Sequence, residues 1–331
     1  MDKTSIKILI RVPNWIGDAV ISTGFIEICK NARPEALISV LAHQRVASLF
    51  ENNPNVQDII AFNGDEGILR ITKSIKSRHF DRAYILPMSF SSALICFLAG
   101  IKERIGYASE LRGSMLSKGL KYSQAAFRSK HILNGFAQIL NDNFAPMPPR
   151  IYLTDDEKGK AVKRLSDLKT AADGLVGFGP GATYGLAKMW PADNWILLGR
   201  RLAENGKKII IFGSATEHDL CQNIAIGTGY GTVNLAGKLN LRESAALLNL
   251  IPTFITNDTG VMHLAAASGS KVTAIFGSTN PAWTGPWGEG HHIIYTKEPC
   301  SPCYKRTCRF GHYNCLKNVS SDDIIRVLAI T

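Results

Sequence analysis

The chain has 331 residues, of which 45% are apolar and 20% charged, and its formal net charge is +11. That is the balance of a globular protein, without low-complexity tract or short repeat, and the length suits two domains of about 150 residues each rather than one core. The positive excess favours an anionic partner, with a solvated basic surface as the alternative; no usual nucleic-acid recognition motif appears, so nucleic acid is not expected.

The start, Met1 to Ala19, does not read as a secretory signal, because the apolar run Ile8-Leu9-Ile10 is short and Arg11 interrupts it. Ile6–Val12 reads as a buried strand. The loop Pro13-Asn14-Trp15-Ile16-Gly17-Asp18 then leads into a helix running through Lys30. Asp18 lies at the mouth of this first strand-to-helix loop, where a carboxylate can accept a proton from a substrate hydroxyl. Asp is also a favoured helix cap, and the helix dipole lowers a carboxylate's basicity. Position alone leaves both roles open.

Leu37–Ala42, Asp58–Phe62 and Arg82–Leu86 follow as strands with helical stretches between them, the pattern of a parallel sheet with crossover helices. Ala83 to Ile101 carries no charge and is long enough for a membrane span, but Pro87, Ser89, Ser91 and Ser92 interrupt it. A buried strand (Ala83–Leu86), a polar loop and a helix (Ala93–Leu98) explain it better. With neither signal nor span, a cytoplasmic location is expected. The densest basic stretch runs from Lys102 to Lys130 and holds Lys102, Arg104, Arg112, Lys118, Lys121, Arg128 and Lys130 against Glu103 and Glu110. An anionic membrane face or a phosphorylated glycolipid suits it. Ala145-Pro146-Met147-Pro148-Pro149 cannot continue a helix and reads as a linker, followed by a polar helix over Asp155–Leu168.

The second half restarts the alternation. Leu175–Gly179, Lys208–Phe212, Val233–Leu235, Thr253–Thr256 and Lys271–Phe276 read as strands, and Ala192–Glu204, Thr216–Ile226, Leu241–Leu250 and Val261–Ser268 as helices. The fold class is α/β, two doubly wound Rossmann-like domains facing a central cleft lined by loops at the strand carboxyl ends. Residues 1–170 form the first domain and 171–319 the second, with a terminal helix over 320–331 packing back on the first.

Two loops of the second half suit a nucleotide sugar. Gly179 to Lys188 is glycine-rich and ends in a lysine, so backbone N–H groups plus an ammonium suit a diphosphate. It is not a Walker A loop. Gly177-Phe178-Gly179-Pro180-Gly181-Ala182 matches a dinucleotide fingerprint weakly, since Pro180 removes a donor and no acidic residue follows at the right distance. Asn257-Asp258-Thr259-Gly260-Val261-Met262-His263 closes a strand and opens an Ala-rich helix. The helix start attracts phosphate, whereas Asp258 suits sugar hydroxyls; His263 alone reads equally as a hydrogen-bonded packing residue. Cys300, Cys303, Cys308 and Cys315, with His312 nearby, suggest a structural zinc site, although the spacing is not a standard one. Cys29, Cys96 and Cys221 sit in apolar helical contexts and read as core.

At these loops the chain resembles the heptosyltransferases of lipopolysaccharide core assembly, and among them the enzymes that add the second heptose. The resemblance covers nearly the whole chain. It is carried by Val12-Pro13-Asn14-Trp15-Ile16-Gly17-Asp18, by Asp81-Arg82-Ala83-Tyr84-Ile85-Leu86-Pro87, and by Pro180-Gly181-Ala182 with Ala187-Lys188 and Trp190-Pro191. Phe212-Gly213-Ser214-Ala215 and Thr256-Asn257-Asp258-Thr259-Gly260 with His263 complete it. The chain departs from the family pattern at Met88 and Ser91, and at Thr183, Leu186 and Met189. The resemblance implies a GT-B architecture with an N-terminal acceptor domain and a C-terminal donor domain. It implies inverting, metal-independent transfer from ADP-L-glycero-D-manno-heptose to the heptosyl-Kdo2-lipid A inner core, at the inner face of the inner membrane, with no required cofactor. In that scheme Asp18 is the general base and Lys188 neutralises the departing phosphates. Thr183, Tyr184, Glu217, Asp258, Thr259, Gly260 and His263 hold the donor, and Lys102, Arg104, Arg112 and Lys118 face the acceptor. Rival readings keep the fold with another sugar, as a first-heptose enzyme, another GT-B transferase or a nucleotide-sugar epimerase, or reduce the chain to a non-enzymatic binder of anionic polymers.

Overall fold

The computed structural model describes residues 5–140, 144–168 and 174–329. Among these residues the alternation builds two sheets of six strands each. The first contains β1 (Lys7–Arg11), β2 (Leu37–His43), β3 (Asp58–Phe62), β4 (Arg82–Ile85), β5 (Glu103–Ala108) and β6 (Lys118–Lys121). Every pairing is parallel, in the order β3-β2-β1-β4-β5-β6. β1 sits at the centre because its apolar run, buried from Ile8 onward, tolerates cover on both faces. Leu9, Leu41, Ile60 and Ile85 point into one layer with Ile75, Ala93 and Cys96 from the helices.

The second sheet contains β7 (Leu175–Gly179), β8 (Lys208–Ile211), β9 (Val233–Asn234), β10 (Thr253–Asn257), β11 (Lys271–Phe276) and β12 (His292–Tyr295), also all parallel, in the order β12-β11-β10-β7-β8-β9. Counted within its own half, this is the winding of the first sheet. Each reverses direction between its first and fourth strands, and ligands of such sheets bind outside the strand carboxyl ends at that point. The second core is aromatic: Phe178 and Trp195 lie 4.9 Å apart and Trp190 and Trp195 5.1 Å, edge-on.

The uncharged segment after Arg82 resolves as expected, into β4, a loop and a short helix, Phe90–Leu98. Among the described residues no helix is long and apolar enough to cross a membrane. Cys29, Cys96 and Cys221 are buried, as their apolar contexts indicated. The sequence reading omitted β5, β6 and β12, all of which carry polar or charged residues.

The chain divides into Met1–Tyr152 and Leu153–Thr331. The boundary expected at 170/171 lies outside the described residues, but the Asp155–Asp167 helix, expected in the first domain, belongs to the second unit. Its polar sequence buries only Ala161 and Leu165, and an ion pair ties it to a neighbouring helix. Arg242, on the Leu241–Leu250 helix, donates from Nε and Nη2 to the two oxygens of Glu157, at 2.7 and 2.6 Å. Glu157 also closes a capping box with Thr154. The terminal helix, Ser321–Ala329, also differs from expectation. Ile324 is buried in the second core, and Asp322 pairs with Arg201 on the Ala192–Glu204 helix.

Glu157 gives a pH-dependent prediction. Hydrogen bonding from Arg242, with the Thr154 backbone N–H, pulls its pKa down to about 2 from an ordinary 4.5. A depressed folded-state pKa contributes stability that is present above the unfolded value and is lost as pH falls through the folded one. Glu157→Gln is expected to lower unfolding stability by about 1–3 kcal/mol at neutral pH. The gap to wild type should shrink below about pH 4.5 and close near pH 2. Thermal unfolding across that range checks it; a gap independent of pH would show that the ionised pair is not the cause.

Candidate active site

The second unit builds its site where β7 and β10 end side by side. Strand β7, Leu-Val-Gly-Phe-Gly, is buried throughout. Its glycines serve packing: a Cβ on Gly177 would lie 2.5 Å from the Phe254 ring, and one on Gly179 2.6 Å from the Thr256 hydroxyl. The partial dinucleotide fingerprint is therefore a record of close strand-to-strand packing. The next glycine has a different neighbour. A Cβ on Gly181 would lie 2.1 Å from the Glu217 carboxylate, so glycine is what lets that carboxylate reach the loop. Glu217 is held there by the backbone N–H (2.7 Å) and hydroxyl (2.8 Å) of Ser214.

Asn257 locks the two loops together. Fully buried, it donates from Nδ2 to the Pro180 carbonyl at 2.6 Å, and its Oδ1 accepts from the Trp190 N–H at 3.1 Å. Pro180, which costs the loop one donor, thus contributes an acceptor. Asp258, next along, is buried, and its Oδ2 accepts from Lys188 Nζ at 2.6 Å and from the Thr279 hydroxyl. The Lys188 side chain is 12% exposed, and its ammonium sits 4.9 Å from the Tyr184 ring centroid. Three expected donor residues, Tyr184, Lys188 and Asp258, are therefore in direct contact.

Thr259 occupies the cap position of the Gly260–Ser268 helix and makes no side-chain capping bond. With Gly260 it follows Asp258 directly, so the open helix start adjoins the ion pair. His263 is buried one turn further in, and Thr183 is exposed on the turn before Tyr184. Sequence reasoning gave Asn257 no role and missed Thr279. A polar residue at a buried strand end was a usable signal for Asn257; Thr279 reaches Asp258 only through the fold.

In the first unit the Ile16–Ala32 helix begins one residue after Trp15, which holds the cap position without a side-chain bond. Asp18, half-buried, is therefore the third residue of the first turn and not the cap. There it lies beside the positive end of the helix dipole. The preceding loop is fixed from below. Arg11, buried, donates to the Val12 carbonyl and, at 2.8 Å, to Asn14 Oδ1, with its guanidinium 4.9 Å from the Phe62 ring centroid. Burial pulls its pKa down to about 10.

The basic stretch proves heterogeneous. Arg112, expected to face an acceptor, is fully buried. It donates from Nε to the Tyr107 carbonyl at 2.8 Å and from Nη1 to Ser92 Oγ at 3.1 Å and the Pro87 carbonyl. It ties the end of β4 to the loop after β5, and burial lowers its pKa to about 10. Arg104 is likewise occupied: it donates to the carbonyls of Met115 (2.6 Å) and Ile101 and lies over Phe97. Lys102, Lys118, Lys121 and Lys130 are exposed.

Cys300, Cys303, Cys308 and Cys315 are all free thiols. Burial raises Cys315 to about 11, with the other three thiols contributing. Cys308 is lowered by backbone N–H groups, Tyr313 foremost, then Phe310, Gly311 and His312. Among the described residues no three His, Cys, Asp or Glu side chains are grouped so as to hold a metal ion.

The pattern of glycosyltransferase family 9 (heptosyltransferase) matches residues 68–314. Over 340 residues the chain is 28% identical to lipopolysaccharide heptosyltransferase 2 of Escherichia coli (strain K12), covering 97% of each. It is 30% identical over 307 residues to lipopolysaccharide heptosyltransferase 2 of Salmonella typhimurium, covering 87% of each. The solved structure of E. coli ADP-heptose LPS heptosyltransferase II superimposes with a TM-score of 0.82 at 25% identity, over 98% of both chains. The likeness spans both doubly wound units and includes the loops where Lys188 meets Asp258, so the chain belongs to glycosyltransferase family 9, the heptosyltransferases, and is a glycosyltransferase of the GT-B type.

Proposed function

We propose that this chain transfers L-glycero-D-manno-heptose, with inversion, from ADP-heptose to the heptosyl-Kdo2-lipid A inner core of lipopolysaccharide. The observation that carries the donor half is the Lys188–Asp258 pair, set between a glycine-rich loop and an open helix start at the switch point of the second sheet. The relatives named heptosyltransferase 2, aligned over almost the whole chain, support the sugar and the acceptor.

Inverting transfer makes one bond and breaks another on opposite sides of the anomeric carbon. Asp18 takes the proton from the acceptor hydroxyl as its oxygen attacks. The bond from the anomeric carbon to the diphosphate breaks, and ADP leaves with added negative charge. The Lys188 ammonium, oriented by Asp258 and Thr279, and the N–H groups at the Gly260 helix start stabilise that charge. Glu217 and Thr183 beside the glycine loop, with Thr259 and His263, complete the donor contacts. Lys102 and Lys118, joined by Lys121 and Lys130, meet the phosphates and acid sugars of the core or the anionic leaflet at the cytoplasmic face of the inner membrane. No metal ion takes part, so a chelator leaves the rate unchanged.

Mass spectrometry of the product formed from ADP-heptose and a heptosyl-Kdo2-lipid A acceptor tests the proposal. One added heptose is the expected result. Turnover of other nucleotide sugars with none of ADP-heptose would overturn the donor, and transfer only to an acceptor lacking heptose would overturn the acceptor.

A further inference from the structure

The stretch that carries the four cysteines is built onto the donor loop. The Tyr184 hydroxyl donates to the Tyr304 carbonyl at 2.7 Å, the Ala187 N–H donates to the Arg306 carbonyl at 3.0 Å, and the Tyr304 N–H donates to the Ser278 carbonyl at 2.7 Å. Ser278 precedes Thr279, the hydroxyl partner of Asp258. Gly185 takes a φ of +142°, and a Cβ there would lie 2.5 Å from the Arg306 carbonyl oxygen, so the approach of the two segments requires glycine. At the far end of the same turn, Cys308 accepts hydrogen bonds from backbone N–H groups. The backbone of Tyr304 to Arg306 is thus fixed against the loop of Lys188, and the turn that follows is closed on Cys308.

One cationic side chain is set over the donor loop from this brace. The Arg306 guanidinium sits 5.4 Å from the Tyr184 ring centroid, the same ring that the Lys188 ammonium approaches to 4.9 Å. The two cations differ in electrostatic state. Lys188 is paired with Asp258 at 2.6 Å, so that pair carries no net charge. Arg306 is exposed and has no acidic partner among the described residues. A diphosphate entering this loop meets a neutralised lysine and an uncompensated arginine. Arginine's planar fork also suits phosphate oxygens better than an ammonium does.

We propose that Arg306 binds the diphosphate of the donor and of the ADP leaving group, and that the cysteine-bearing stretch serves to present it. This rests on the reading of the Tyr184–Lys188 loop as the diphosphate site. Titration calorimetry with ADP and with adenosine, on wild type, Arg306→Gln and Arg306→Lys, tests it. Because the brace uses the Arg306 carbonyl and not its side chain, both variants should unfold at the wild-type temperature. Arg306→Gln should weaken ADP about tenfold or more and leave adenosine within about twofold, and Arg306→Lys should recover part of the ADP affinity. The wild-type preference for ADP over adenosine should also fall with added salt more steeply than that of Arg306→Gln. Equal ADP affinity in wild type and Arg306→Gln overturns the role of Arg306 alone. So does a parallel loss of adenosine, which marks a structural effect. Failure of wild type to bind ADP overturns the donor reading itself, and this inference with it.

Discussion

Asp18→Asn is expected to lower heptosyl transfer by about two orders of magnitude or more while leaving ADP affinity within about twofold. The amide keeps the size and polarity of the carboxylate but cannot take the acceptor's proton. Trp15, not Asp18, holds the cap position, so the helix keeps its cap and gives up the favourable placement of a negative charge in its first turn, about 0.3–1 kcal/mol. Steady-state rates with saturating donor, beside calorimetric ADP binding, separate the two quantities. Turnover near that of wild type would reduce Asp18 to a helix-dipole partner and move the search for the base elsewhere on the first unit.

The second large effect concerns the buried pair. Lys188→Met should lower stability by about 3–5 kcal/mol, because it strands the Asp258 carboxylate, whose side chain is 4% exposed, with the Thr279 hydroxyl as the remaining partner described for it. Transfer should fall by about 10²–10³, the usual cost of losing a leaving-group stabiliser. The double variant Lys188→Met/Asp258→Asn removes both charges and should recover most of the stability, as isosteric replacement of a buried pair generally does. It should recover none of the transfer. Unfolding temperature and rate, measured on all three proteins, therefore separate packing from chemistry. If activity returned along with stability, Lys188 would be a structural residue and the leaving group would need another partner.

The central strands were legible because strands buried on both faces are written as continuous apolar runs, as in Ile8-Leu9-Ile10 and Leu175-Val176. The edge strands were not. β6 reads Lys-Gly-Leu-Lys, with three of four residues exposed, and β12 begins with His292 and is at most half-buried. Such strands are specified by the neighbour they pair with. The Asp155–Asp167 helix shows the same limit, since its place depends on a contact between Glu157 and Arg242, far apart in sequence. Within the site, the loops after β7 and β10 stood out because their glycines and polar residues break apolar runs. What they touch did not: the compensation of Lys188 by Asp258, the burial of Arg112 and the brace of residues 304–306 behind Tyr184 arise from tertiary contacts. Charge counting erred most on arginine, where side chains read as a ligand surface turned out to bind carbonyls of their own chain.

The position of Trp15 has a spectroscopic consequence. Of the five tryptophans only Trp15 lies in the first unit, and it alone is exposed, at 53%. Trp190 and Trp195 are shut in the second core, with the Trp190 indole N–H on the Val319 carbonyl at 3.0 Å. Trp283 and Trp287 are half-buried, so a small neutral quencher in solution should act most strongly on Trp15, three residues from Asp18. Shielding of that fluorophore would report acceptor occupancy without label and without turnover. The Trp190–Trp195 emission, buried beneath the donor loop, would supply an internal reference in the same cuvette.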